Sequence, residues 1–188
     1  MSDQKFKIAV FASGSGSNAE EIMKYFRHHE HISVVLLLSN NPTAYALERA
    51  RKYAVPTHVF DRNQIKESTV VLEWLQGEGV THIVLAGYLW LIPTYLIQAY
   101  PNKIVNIHPA LLPRHGGKGM YGMKVHEAVR AARETETGIT IHLVNEHYDE
   151  GKILAQATCP VLAEDTPDMI ANKVHALEYA HYPTVIEK

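Results

Sequence analysis

The sequence predicts an α/β protein: a Rossmann-like, mostly parallel sheet covered by helices on both faces and ending in an antiparallel hairpin. Three observations carry this. Short runs of consecutive apolar, often β-branched residues recur up to residue 107, separated by helical segments; strands buried on both faces read as such continuous runs. A glycine-rich turn joins the first run to the first helix. After residue 137 the pattern changes to alternation, the mark of an antiparallel pair.

Taken in order, "KIAVFA" (7–12) reads as a buried strand and "SGSGSN" (13–18) as a turn. A helix follows over about 18–28, with Ile22, Met23 and Phe26 on its apolar side. "ISVVLLLS" (32–39) is the second strand; "NNPT" breaks it, and a helix runs from Thr43 to Tyr53. "THVF" (57–60) is a short third strand, 67–77 a helix, "THIVLAG" (81–87) the fourth strand and "KIVNI" (103–107) the fifth. In "GITIHLVN" (138–145), Ile139, Ile141 and Leu143 share one side and Thr140 and His142 the other. "KILAQATCPV" (152–161) pairs with it across the "EHYDEG" loop. The last helix has Thr166 as cap, Pro167 at its first position and Asp168 in its first turn; it runs to about His181, where Pro183 stops it. No repeat or low-complexity linker interrupts the 188 residues, so a single domain over 1–188 is expected.

Charge excludes some classes. Lys+Arg (18) and Asp+Glu (20) nearly cancel, which gives no support to nucleic-acid or anionic-membrane binding. No apolar run approaches the roughly 18 residues of a membrane span, and the N-terminal stretch lacks the pattern of a secretory signal. The one cysteine, Cys159, cannot form an internal disulfide. A cytoplasmic location is expected. Twelve histidines raise the question of a metal. Yet there is no H-E-x-x-H, no C-x-x-C and no regular His spacing, so none is expected. His28, His29 and His31 sit at a helix end, where the helix dipole suffices as explanation. There is no G-x-S-x-G, and Cys159, beside Pro160, reads as packed.

Four segments carry candidate chemistry. In "GSGSNA" (14–19), Gly14, Gly16 and Ala19 fit a relaxed G-x-G-x-x-A dinucleotide spacing. The second strand, however, ends in Ser39-Asn40-Asn41, without the acidic residue that would hold a ribose hydroxyl, and no G-K-[ST] is present. What remains is a site for one phosphate at Gly16, Ser17 and Asn18, the last two also capping the helix, or else a plain glycine turn with a good cap. "AGYLWLIP" (86–93) leaves the fourth strand at its carboxyl end, where open α/β sheets bind ligands. Tyr88 to Leu91 wall a flat ring there, or the strand runs into the core and a helix starts at Pro93. "NIHPALLP" (106–113) places Asn106 and His108 on one face of the fifth strand. Together they suit a tetrahedral oxyanion; alternatively His108 is a satisfied structural histidine. Asp149, beside a glycine turn, is turn chemistry unless its loop folds back over His108, where a carboxylate would raise the imidazole pKa.

These residues give the chain a resemblance to the phosphoribosylglycinamide formyltransferases, folate-dependent enzymes of purine synthesis. It is carried by "FASGSGSN" (11–18), "LSNNPTAYALERA" (38–50), "VLAGYLWLI" (84–92), "NIHPALLP" (106–113), "GITIHLVNEHYDEGKILAQ" (138–156) and "KVHALEYAHYP" (173–183), in family order. The N-x-H-P-x-L-L-P segment with a following D-x-G hairpin is shared with formyltetrahydrofolate hydrolases and methionyl-tRNA formyltransferases; "GSGSN" resembles the phosphate cradle of the glycinamide enzymes. With the chain ending soon after the last helix, an appended tRNA-binding domain is not expected. The resemblance implies that the amine of glycinamide ribonucleotide attacks the formyl carbon of 10-formyltetrahydrofolate. It implies Asn106, His108 and Asp149 as catalytic residues and Gly16, Ser17, Asn18 and Glu178 as substrate-binding ones. Leu89, Trp90, Leu91 and Ile92 would bind the pterin together with Asn106 and the 144–149 loop, and Lys66 would approach the folate tail. Trp90 departs from the Arg of many members. The glycine-rich "RHGGKGMYGMKVHEAV" (114–129) departs from the family's shorter connection, so access to the site, its closure or an oligomer contact differs. A monomer or homodimer acting on small molecules is expected. The alternatives are a same-fold hydrolase, a sugar-nucleotide formyltransferase, or a non-catalytic nucleotide-binding module.

Overall fold

The computed structural model describes residues 5–188. The chain divides into two compact units, residues 1–104 and 105–188.

In the first unit, strands β1 (Phe6–Phe11), β2 (Ile32–Ser39), β3 (Thr57–Val59) and β4 (His82–Leu85) alternate with helices α1 (Ser17–Phe26), α2 (Tyr45–Lys52), α3 (Arg62–Lys66), α4 (Val70–Gly77) and α5 (Thr94–Ala99). The strands are ordered β3-β2-β1-β4 and all pair in parallel. Ile8, Ala9, Val10 and Phe11 point alternately to opposite faces, yet none is more than 2% exposed. Both faces are therefore covered, which is why the strands read as continuous apolar runs. The helix expected over 67–77 is α4, and a short helix that was not expected, α3, precedes it. Asp61 and Gln64 form a capping box that starts α3, and Thr69 precedes α4. Pro93 is the N-cap of α5.

The second unit holds β5 (Ile104–His108, its first residue the last of the first unit), α6 (Met123–Ala131), β6 (Glu136–Leu143), β7 (Ile153–Pro160) and α7 (Pro167–Ile186). β5, β6 and β7 are neighbours in that order and pair antiparallel. The fold class is thus mostly parallel α/β with antiparallel C-terminal strands, as expected. The β6 alternation misleads in one respect. Thr140 and His142 are as buried as Ile139 and Ile141, because their polar atoms find partners inside the unit rather than in water. The last helix does not stop at Pro183. Thr166 caps it as expected, accepting from Met169 N–H, but it continues to Ile186 with Pro183 buried inside it. A proline this near the C-terminus forfeits one i→i−4 bond, and Glu187 N–H resumes the ladder by donating to Pro183 O.

One buried group sets a pH dependence. His126 on α6 is 2% exposed and its Nδ1 has no hydrogen-bond partner. Burial, then the neighbouring His175 and His108, push its pKa down to about 4. The folded value lies below the unfolded one of about 6.5. The unfolded chain therefore takes up a proton that the folded one refuses as pH falls. About 2 kcal/mol of stability should be lost between pH 7 and 5 from this group alone. In urea denaturation across that range, His126→Leu should flatten the dependence by this amount. An unchanged slope would show that His126 does not titrate on unfolding.

Candidate active site

In the second unit, β5 places Asn106 and His108 on one face, and β6 sets His142 opposite Asn106 and Thr140 opposite His108. Thr140 anchors the segment that leaves His108. Its hydroxyl donates to Ala110 O at 2.7 Å and accepts from Leu112 N–H at 3.0 Å and from Gln156 Nε2 at 2.9 Å. The stiff exit past Pro109 is thereby tied to both β6 and β7.

The loop between β6 and β7 folds back over this face. A Cβ on Gly151 would lie 1.6 Å from the Leu143 carbonyl oxygen, so only glycine lets the loop lie that flat. Asp149, in the left-handed region at φ 57°, then reaches both histidines. Its Oδ2 is 3.4 Å from His108 Nδ1 and its Oδ1 3.6 Å from His142 Nε2. Gly117 N–H donates to Oδ2 at 2.9 Å. The contact on which the role of Asp149 depends is therefore present.

Partners assign the protons. His142 Nδ1 lies 2.9 Å from Leu143 O, which can only accept, so Nδ1 carries a hydrogen. Nε2 is then free to accept from Asn106 Nδ2 at 3.2 Å, and the second amide hydrogen of Asn106 remains for another acceptor. His108 Nε2 donates to His115 O at 2.8 Å, leaving Nδ1 toward Asp149. His115, at φ 54°, is held in turn by Glu134 at 2.9 Å, which also pairs with Arg114.

Electrostatics correct one expectation. Asp149 does raise the His108 pKa, and so does the His115 carbonyl, but burial outweighs both and the net displacement is downward. His108 is 3% exposed, and desolvation disfavours the imidazolium. In the free protein it is therefore a neutral Nε2–H imidazole near pH 7. Burial alone would raise the pKa of Asp149, but the neighbouring His142 and His108 and the Gly117 amide together hold it below the ordinary carboxylate range. Glu178 is buried on α7. Its carboxylate adds to burial in pushing the Tyr182 hydroxyl well up.

In the first unit, Gly16 is itself the cap of α1. It has φ 71°, and no side chain caps the helix. Ser17 and Asn18 lie in the first turn rather than at the cap position. A Cβ on Gly16 would come within 2.5 Å of Ala46 Cβ, so the loop rests directly on α2. The Leu89 amide donates to Ser13 Oγ, and Ser13 Oγ in turn donates to Asn40 Oδ1. Leu89 and Leu91 are exposed while Ile92 is core at 2%. A groove of about 470 Å³ is lined by Asn40, Pro42, Phe60, Arg62, Gln64 and Trp90 among others. The Arg62 guanidinium lies 4.5 Å from the Trp90 ring centroid. Lys66, at the end of α3, is exposed and is not among the lining residues.

Sequence reasoning missed His142, Gly117, His115 and Arg62. His142 is visible there only as the polar side of an alternating strand. The cross-strand register that sets it against Asn106 is not local information. No group of three or more His, Cys, Asp or Glu suited to a metal occurs among the described residues, and among them no helix is long and apolar enough to cross a membrane.

Two proton-carrying histidines, an amide donor and a carboxylate at a strand's carboxyl end have the chemistry that stabilising an oxyanion and moving a proton require, as in an enzyme site. Among known proteins, residues 6–186 match the formyl transferase family. The chain belongs to that family and, within it, to the phosphoribosylglycinamide formyltransferases. It is 38% identical to the enzyme of that name from Bacillus subtilis (strain 168), covering 97% of this chain and 93% of that one. It is 44% identical to the chloroplastic enzyme of Arabidopsis thaliana, over 96% of this chain but only 64% of the plant protein, less than two thirds of its length. Glycinamide ribonucleotide transformylase 1 from Symbiobacterium toebii superposes with a TM-score of 0.88 at 34% identity, over 97% of this chain and 86% of that one.

Proposed function

We propose that the chain transfers the formyl group of 10-formyltetrahydrofolate to the amine of glycinamide ribonucleotide, in purine biosynthesis. The observation that carries this is the set Asn106, His142, Asp149 and His108, each within 3.6 Å of the next, which has donors for an oxyanion but no nucleophile of its own. The substrate amine attacks the formyl carbon, forming the new C–N bond as the carbonyl oxygen becomes an oxyanion. Asn106 Nδ2 and His108 Nε2 donate to that oxygen. Developing negative charge there favours the imidazolium, which Asp149 then stabilises across 3.4 Å. The proton lost by the amine passes by way of Asp149 or water to N10 of the folate, whose bond to the formyl carbon breaks. In the free protein His108 Nε2 is spent on the His115 carbonyl. The formyl oxygen has to replace that carbonyl, so the 114–117 turn must shift when substrate binds.

Gly16, Ser17 and Asn18 bind the phosphate in this reading, and Glu178 the glycinamide and ribose. Leu89 to Ile92 bind the pterin. With the Leu89 amide already committed and Ile92 in the core, exposed Leu89 and Leu91 supply apolar contact, and the remaining backbone groups supply polarity. Arg62, stacked on Trp90, offers the acidic folate tail a cation, as Lys66 does on the exposed end of α3. The location is cytoplasmic, no metal takes part, and the chain acts as a monomer or homodimer.

The test is a formyl-transfer assay with the ribonucleotide, with its dephosphorylated riboside and without acceptor. Tetrahydrofolate release should require the acceptor, and kcat/KM should fall about 10²-fold or more without the phosphate, the worth of two charge-assisted hydrogen bonds. Release indifferent to acceptor would assign a hydrolase instead.

A further inference from the structure

We infer that Arg49 is a positioning residue for the phosphate: through Ser15 it aims the amide of Gly16, a role outside the groups that touch substrate. This rests on the phosphate reading of Gly16, Ser17 and Asn18. The carbonyls of the 13–16 loop are all held. Ser13 O accepts from Asn41 Nδ2 at 3.3 Å and Gly14 O from Ala46 N–H at 3.1 Å. Ser15 O accepts from Arg49 Nε at 2.8 Å, and Gly16 O from Glu20 N–H at 2.9 Å. Asn41, Ala46 and Arg49 belong to one segment, the loop after β2 and the helix α2 that follows it. In a trans peptide the C=O and the following N–H point in opposite directions. Drawing three carbonyls toward that segment therefore turns the N–H groups of Gly14, Ser15 and Gly16 away from it, as a row of donors facing one side. Such rows of backbone amides are what an oxyanion of phosphate needs.

Among these carbonyl contacts, Arg49 supplies the only one made by a charged side chain. Its geometry suits holding rather than attracting. The guanidinium pairs with the Glu20 carboxylate, both side chains 22% exposed, so its charge is largely neutralised. Its face lies 4.9 Å from the Tyr45 ring centroid. Nε, Nη1 and the π-face thus have three separate partners at once. A planar guanidinium can satisfy all three in a fixed orientation; an ammonium cannot.

The experiment is steady-state kinetics of Arg49→Lys and Glu20→Gln, with ribonucleotide and riboside, and with inorganic phosphate as competitive inhibitor. Arg49→Lys should raise the ribonucleotide KM about tenfold, the scale of one charge-assisted bond lost from aim. The inhibition constant for phosphate should rise in parallel, with kcat, the folate KM and the riboside kcat/KM unmoved. Glu20→Gln should also raise the ribonucleotide KM, because it loosens the clamp. Were Arg49 an electrostatic attractor, the lysine would substitute for it and Glu20→Gln would lower KM. Either result overturns the inference, as does a loss shared equally by riboside and folate, which would mean general damage. If Arg49→Lys fails to fold, Tyr45→Leu, which removes only the stacked ring, should show the same split in smaller degree, and its absence there overturns the inference. If the wild-type protein itself uses riboside as well as ribonucleotide, the phosphate reading falls first.

Discussion

His108→Ala should lose about 10²–10⁴ of kcat while the ribonucleotide still binds. The range comes from the two parts the ring plays: one oxyanion donor at Nε2 is worth about 10²–10³-fold, and a ring that takes up a proton as charge develops about 10²–10⁴. Because one ring does both, the losses do not multiply. The substitution also removes the donor to the buried His115 carbonyl, at a cost of about 1–3 kcal/mol. Turnover therefore has to be normalised to folded protein by thermal denaturation. His108→Gln keeps an amide donor of similar reach and should recover part of kcat but none of its pH dependence. Near-normal turnover in His108→Ala would return the residue to the structural role that its sequence context leaves open.

Legibility in the sequence tracks the range of the forces concerned. Strand β2 is delimited there residue for residue, because a strand covered on both faces leaves an uninterrupted apolar run. The Thr166–Pro167 start of α7 is likewise local chemistry. Helix α3 escapes notice although Asp61 and Gln64 carry the capping-box spacing, since five residues show no apolar period. Pro183 is easily over-read. A proline rule for helix interiors says little one turn from an end, where few ladder bonds remain to lose.

In the site, the alternation Asn106-x-His108 is visible because strand geometry has period two. The contacts that give these residues their chemistry are not. His142 reaches Asn106 through the register of β5 against β6. Asp149 reaches His108 because Gly151 lets a loop lie flat. The sign of the His108 displacement also needs three dimensions. A carboxylate neighbour can be anticipated, but not the degree of burial that outweighs it. In the proposed reaction Asp149 therefore does not keep His108 charged at rest, but would make the charge attainable once a second negative centre develops on the substrate.

Asp149→Asn should show the effect most sharply. The amide can still accept from Gly117 N–H, so the loop should keep its place and the ribonucleotide KM should move little. Electrostatically the change is large, because the one negative charge beside both His108 and His142 is gone. A carboxylate favours the imidazolium, so removing it must lower the His108 pKa further below its ordinary value. Followed by the ring-carbon resonances of His108 in NMR, the titration should move to lower pH in the mutant. At neutral pH the barrier to charging His108 in the transition state rises correspondingly, and kcat should fall by about 10²–10⁴, the scale of general acid–base catalysis. Lowering the pH should restore part of that loss in Asp149→Asn, since protons can then supply what the carboxylate no longer favours. A His108 resonance that titrates at the same pH in both proteins would show that Asp149 does not act on it. A lowered titration with turnover intact would show that the imidazolium is not needed and that the neutral ring and Asn106 suffice for the oxyanion.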